Sequence, residues 1–180
     1  MFFAVSGVQG ATAGAGPVAP TSQLQTAPPT WGTGMRLSGR KKLRFLGFEI
    51  YQASLWVRPG FQAETWDQQG FVLELAYLRD FTSAAIAQRS LQEMRKLAPL
   101  SDEQAARWQA QLNQVLPDVR SGDRVAGIHL PGIGARFQVN GQLAGEMLDA
   151  EFARLFFGIW LSPATSEPGL RQALLAQSAR

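Results

Sequence analysis

Aromatic and aliphatic residues recur among polar ones from residue 39 to 57, with Gly39 and Gly47 interrupting the pattern. The β-branched and aromatic residues there suit a pleated, half-buried surface. Two strands are predicted, 34–46 and 48–57, with the glycines as bend or bulge points. In the second, Tyr51, Ala53, Leu55 and Val57 share one face by the period of two. Residues 58–70, RPGFQAETWDQQG, carry Pro-Gly and Gly punctuation and read as a loop. A third strand, 71–79, puts Phe71, Leu73, Leu75 and Tyr77 on one face. The period then lengthens. Over 82–97, Ile86, Ser90, Met94 and Leu97 follow helical spacing behind hydroxyl capping candidates, and the segment ends basic. The segment 101–116 opens with a capping box, Ser101 to Gln104, buries Trp108, Leu112 and Val115, and stops at Pro117. Strands at 124–130, 134–139 and 142–148 form a meander. Its Asn140-Gly141 pair suits a type I′ turn, in which both central residues take positive φ. Asp149 caps a helix, AEFARLFFGIWL, with Phe152, Phe156 and Ile159 on one side. Ser166 and Pro168 start a last helix with Leu170 and Leu174 inward.

Upstream the character differs. The first 35 residues carry no charge and show no periodicity. Residues 1–30, rich in Gly, Ala, Pro and Thr, are expected to be a flexible leader. MFFAV resembles the end of an apolar export-signal core, and ATA at 11–13 resembles a small-residue cleavage site. The leader is therefore also read as the remnant of an export signal, and the protein as periplasmic or otherwise exported. The domain proper is expected over 31–180. No apolar run approaches the ~18 residues of a membrane span.

At 180 residues, 46% hydrophobic and 17% charged, the chain suits one globular domain. It has no cysteine, which excludes thiol nucleophiles, disulfides and thiolate metal sites. A formal charge of +3, without basic residues interleaved with aromatics, gives no reason to expect nucleic acid.

The glycine-rich stretch PGIGARFQVNG, 131–141, raises the question of phosphate. A phosphate cradle lies between a strand and a helix, whose N-terminus faces the anion. These glycines lie between strands and lack the third glycine of a dinucleotide fingerprint, so they read as sheet punctuation, with Arg136 a solvated strand residue. The lone His129 sits in a strand and cannot build a His-rich metal site. No metal and no cofactor is expected. No Gly-x-Ser-x-Gly elbow is present. Asp102, Glu103 and Asp149 sit at helix starts, where carboxylates are favoured. The densest charge is Arg36, Arg40, Lys41, Lys42 and Arg44, read as a solvated turn between strands. Arg36 stands apart, behind WGTGM at a strand start. A guanidinium reaching from there into a cleft between sheet and helices would suit a carboxylate or phenolate.

The ordered set GTGMR, FEIYQASLWV, LRDF with its following helix, GD, NG and FFGIWL resembles the chalcone isomerase-like family over about residues 31–177. It is most similar to the bacterial branch, usually made with an export signal. The resemblance implies an α+β open-faced β-sandwich: a mainly antiparallel sheet covered on one face by helices. It also implies two alternative activities. In plant chalcone isomerases an arginine in Gly-x-Gly-x-Arg holds a phenolate during ring closure, and Arg36 matches it as the candidate catalytic residue. Those enzymes also use a strand threonine, and a tyrosine and an asparagine on the helix after RD. Tyr51 stands in the threonine's place here, and 82–97 contains neither of the other two. The fatty-acid-binding branch instead pairs an arginine with a strand tyrosine around a carboxylate, and Arg36 and Tyr51 match that pair. The reading is thus a binding protein for a fatty acid or similar anionic amphiphile, with Trp56 and Tyr77 as wall residues. The alternatives are an isomerase or lyase acting through Arg36, and a partner-binding protein whose charge cluster at 40–44 is the contact surface.

Overall fold

The computed structural model describes residues 34–178, so the leader at 1–30 lies outside the described residues. The elements run β1 (Arg36–Phe45), β2 (Phe48–Val57), a 3-10 helix (Ala63–Gln68), β3 (Phe71–Tyr77), α1 (Ser83–Leu97), α2 (Asp102–Val115), β4 (Arg124–Leu130), β5 (Gly134–Val139), β6 (Gln142–Met147), α3 (Ala150–Leu161) and α4 (Pro168–Leu174). The strands form one six-stranded sheet in sequence order, with each neighbouring pair antiparallel.

Two-residue turns close the outer hairpins at each edge of the sheet. Asn140 and Gly141 take φ of 51° and 82°, and Leu46 and Gly47 take 49° and 82°. Asparagine tolerates that left-handed conformation through its short polar side chain, whereas leucine has no such compensation. The register pairs Tyr51 with Tyr77, Ala53 with Leu75, Leu55 with Leu73 and Val57 with Phe71. Both predicted strand faces therefore form one surface, and the helices cover it.

In the helical layer α3 lies on β4 and β5, α1 packs on α3 and α2, α2 reaches β6, and α4 covers β1 and β2. Phe152, Leu155, Phe156, Phe157, Trp160 and Leu161 of α3 are all buried, which is why this helix is apolar nearly all round. Edge-to-face contacts run from Phe71 to Phe157 at 5.0 Å and on to Phe156 at 5.4 Å, joining sheet to helix. Each such pair contributes about 0.5–1.5 kcal/mol beyond its buried area. At the predicted bend, Gly39, β1 is bulged, and a Cβ there would overlap the backbone carbonyl of Ala173 in α4.

Two local readings are corrected. The loop predicted at 58–70 contains the 3-10 helix, because Trp66 is buried against Phe71 and His129 at 6.2 Å and 6.3 Å between ring centroids. Gln69 fixes its ends by donating Nε2 to the carbonyls of Gln62 and Thr65 at 2.8 Å and 2.9 Å. The box at α2 is half formed. Ser101 Oγ accepts from Gln104 N at 3.1 Å, but the Gln104 side chain donates to Glu151 of α3 instead.

Candidate functional site

A cavity of about 350 Å³ lies between the covered face of the sheet and helices α1 and α3, near the start of α4. Its floor includes Tyr51, Leu75, Tyr77 and Val125, and its helical wall includes Ile86, Ser90, Phe156 and Trp160. The small Ala85 and Ser90 on α1 leave room where larger side chains would fill the layer. Phe45, 53% exposed, and Arg89, with its side chain 59% exposed, mark the mouth.

The two tyrosines face each other across β2 and β3, edge to face with centroids 6.0 Å apart. Trp160 Nε1 donates to Tyr51 Oη at 3.0 Å, which leaves the Tyr51 hydroxyl proton for another acceptor. Burial pushes both phenols well above the ordinary tyrosine range. They therefore stay neutral, as hydrogen-bond donors, at any ordinary pH. Beside the mouth, Glu93 is buried and bonded by Arg89 at 2.7 Å, Lys96 at 2.9 Å and Ser166 Oγ at 2.6 Å. Burial opposes its charge, but the hydrogen bonds from Lys96 and Ser166 and the field of Arg89 outweigh it. The carboxyl is held below its usual range.

Of the residues singled out from sequence, Tyr51 and Tyr77 line this cavity, while Arg36 and Trp56 do not. Arg36 pairs with Val57, whereas Leu43 pairs with Tyr51. Six residues of strand, about 20 Å at 3.3 Å per residue, separate those two levels. The structure thus does not bring Arg36 and Tyr51 together. Arg36 Nη1 instead donates to the Gln177 carbonyl at 2.7 Å, tying the segment after α4 to β1. Trp56 has the opposite parity to Tyr51, so alternation puts it on the other face of the sheet, opposite Leu37 and Val72. Its indole nitrogen is buried there without a hydrogen-bond partner among the described residues.

The remaining cluster is spread along β1. Lys42 and Arg44 meet Glu49 across the hairpin at 2.9 Å and 2.7 Å, and Lys41 donates to the Gly169 carbonyl. His129 lies away from the cavity, stacked on Phe71 with Nδ1 2.7 Å from the Gln69 carbonyl, and burial holds its pKa down. Among the described residues no group of three His, Cys, Asp or Glu could hold a metal. None of the described helices is long and apolar enough to cross a membrane. Arg89 and Trp160 were not singled out from sequence. The available signal was the inward stripe Ile86-Ser90-Met94, which sets Arg89 at its edge.

A family model described as chalcone isomerase-like matches residues 31–176. A Haemophilus influenzae protein described as uncharacterized is 25% identical over 164 residues, covering 91% of this chain and 72% of that one. The crystal structure of an Arabidopsis thaliana fatty-acid binding protein superposes with a TM-score of 0.66 at 11% identity, covering 85% of this chain and 92% of that one. That likeness establishes the α+β architecture of an antiparallel sheet with one helical layer. With most of its length matched by the family model, the chain belongs to the chalcone isomerase-like family.

Proposed function

We propose that the chain binds an amphiphile with an anionic head, a fatty acid being the simplest case, in the cavity between the sheet and α1 and α3. The observation that carries this reading is a largely apolar cavity whose charged lining is confined to Arg89, the one cation among its described lining residues, and the carboxylates Glu93 and Glu167. A volume of about 350 Å³ falls within the range of small-molecule sites, roughly 300–1,000 Å³. A carboxylate deep inside would meet only neutral groups, among them the Tyr51 and Tyr77 phenols and the Ser90 hydroxyl, with no cation to offset its lost hydration. The head therefore stays at the mouth. There Arg89 keeps further N–H groups beyond the one it commits to Glu93. The apolar tail runs inward over Leu75 and Phe156, and the Tyr51 hydroxyl is offered to any polar atom along it. The fatty-acid binding named for the Arabidopsis neighbour supports the reading by analogy of fold.

Calorimetric titration of the full chain with lauric acid tests it. Arg89→Gln should weaken binding about fivefold, the worth of one partly exposed charge contact. Ser90→Leu should fill the cavity and abolish binding. Arg36→Gln, at the far end of β1, should leave affinity unchanged. Wild-type affinity in both Arg89→Gln and Ser90→Leu would sink the assignment.

A further inference from the structure

The β1–β2 hairpin ends in Phe45-Leu46-Gly47-Phe48, and its three apolar side chains stand in solvent, 53%, 81% and 57% exposed in chain order. Scattered apolar residues on a surface need no explanation, but this cluster has features that do. Leu46 sits at φ 49°, where Gly or Asn would serve the turn with less conflict. An apolar side chain is held at the tip against the backbone's own preference. Cations collar the cluster. The Arg79 guanidinium lies 4.5 Å from the centre of the Phe48 ring, and that of Arg89 lies 5.8 Å from the Phe45 ring. Arg44, with its side chain 69% exposed, stands at the neck with Lys42, both on Glu49. Residues 40–49 hold four cations against one carboxylate. Further back, Asp80 accepts from the Ser121 N–H and Glu93 is tied to Arg89 and Lys96.

An apolar wedge inside a basic collar is the chemistry that enters the headgroup layer of an anionic bilayer. There the apolar tips leave water and the cations meet lipid phosphates. Tip-to-tip pairing of two copies would set the two basic collars against each other. Phe45 and Arg89 also belong to the cavity mouth. We infer that the hairpin docks the protein on an anionic lipid bilayer, with Leu46 and Phe48 inserted and Arg44, Arg79 and Arg89 at headgroup level. The cavity mouth then opens at the lipid surface, and an amphiphile passes between bilayer and cavity without crossing bulk water. That last step rests on the binding reading, whereas the docking does not.

The test is co-sedimentation of the full chain with vesicles of phosphatidylcholine, with and without phosphatidylglycerol. Wild type should bind the anionic vesicles and lose most of that binding in high salt. Leu46→Asn with Phe48→Ser should weaken binding about tenfold or more. Asparagine suits the turn, so the fold should survive. Arg44→Gln and Arg79→Gln should each weaken it about fivefold on anionic vesicles only. Residues 1–33 are common to all variants, so any contribution from them cancels. Absent wild-type binding, or equal binding by the tip variant, overturns the proposal. So does a wild-type dimer that the tip variant dissociates without any vesicle binding. Tip-dependent vesicle binding supports docking even where the lauric acid titration is flat, because a flat titration counts against the cavity reading alone.

Discussion

Asp149 satisfies two donors at once, and its removal should show both losses. Oδ1 accepts from the Phe152 N–H at 2.9 Å, capping α3, and Oδ2 accepts from Trp108 Nε1 at 2.9 Å. Trp108 is fully buried on α2, so its indole N–H has no water to turn to. In Asp149→Ala the lost cap costs about 1 kcal/mol. The orphaned indole donor costs about 1–3 kcal/mol more. The expected loss is therefore about 2–4 kcal/mol, which moves a urea midpoint by roughly 1–2 M at ordinary slopes. Trp108→Phe removes the donor and keeps an aromatic ring in place. In that background Asp149→Ala should cost the cap alone, leaving a coupling of about 1–3 kcal/mol in the double-mutant cycle. Equilibrium urea unfolding, followed by tryptophan emission, measures all four proteins, since four of the five tryptophans remain after the substitution. Asp149→Asn keeps one carbonyl acceptor and should fall in between. A coupling indistinguishable from zero would refute the claim that this carboxylate holds α2 to α3.

The other predictions concern the strand edge and pH. Gly39→Ala should cost about 1–3 kcal/mol or more, because its Cβ meets α4 backbone and not a movable side chain. Limited proteolysis should then cut within 168–178, and wild-type resistance there would count against the contact. Glu93 has a depressed folded pKa, so its contribution is present above the unfolded value near 4.5 and is lost as pH falls through the folded one. The stability gap between wild type and Glu93→Gln should be constant above about pH 5 and shrink below that. A gap that instead widens on acidification would reverse the sign argued here.

Much of the fold is legible in local pattern. Tyr51, Ala53, Leu55 and Val57 are spaced two apart, with polar Gln52 and Ser54 between the first three, and the period of two assigns them one face. By the same parity Trp56 falls on the opposite face. The caps at Thr82, Ser101 and Asp149 were readable because a side-chain oxygen bonds a backbone N–H only three residues away. The 3-10 helix was hidden because Pro-Gly and Gly marks around it are the same as those of an open loop. What folds it is Trp66 docking on Phe71 and His129, which come from later in the chain.

The cavity lies beyond what local pattern reaches. Arg36 and Tyr51 look like neighbours when a motif is laid along the chain, yet the hairpin register sets them at opposite ends of β1 and β2. Register depends on where the turn closes, and the turn closes at Leu46-Gly47, one of the least expected leucines in the sequence. The sequence by itself therefore determined the strands, the α-helices and their faces, because those follow from spacing within one segment, and its ordered motifs carried the resemblance to the family. Tertiary structure alone decided that Arg89 of α1 meets Phe45 of β1 at the mouth of a cavity, and that Trp160 of α3 reaches Tyr51 of β2. Those pairs join segments far apart in the chain, and their meeting is fixed by how the helical layer packs on the sheet.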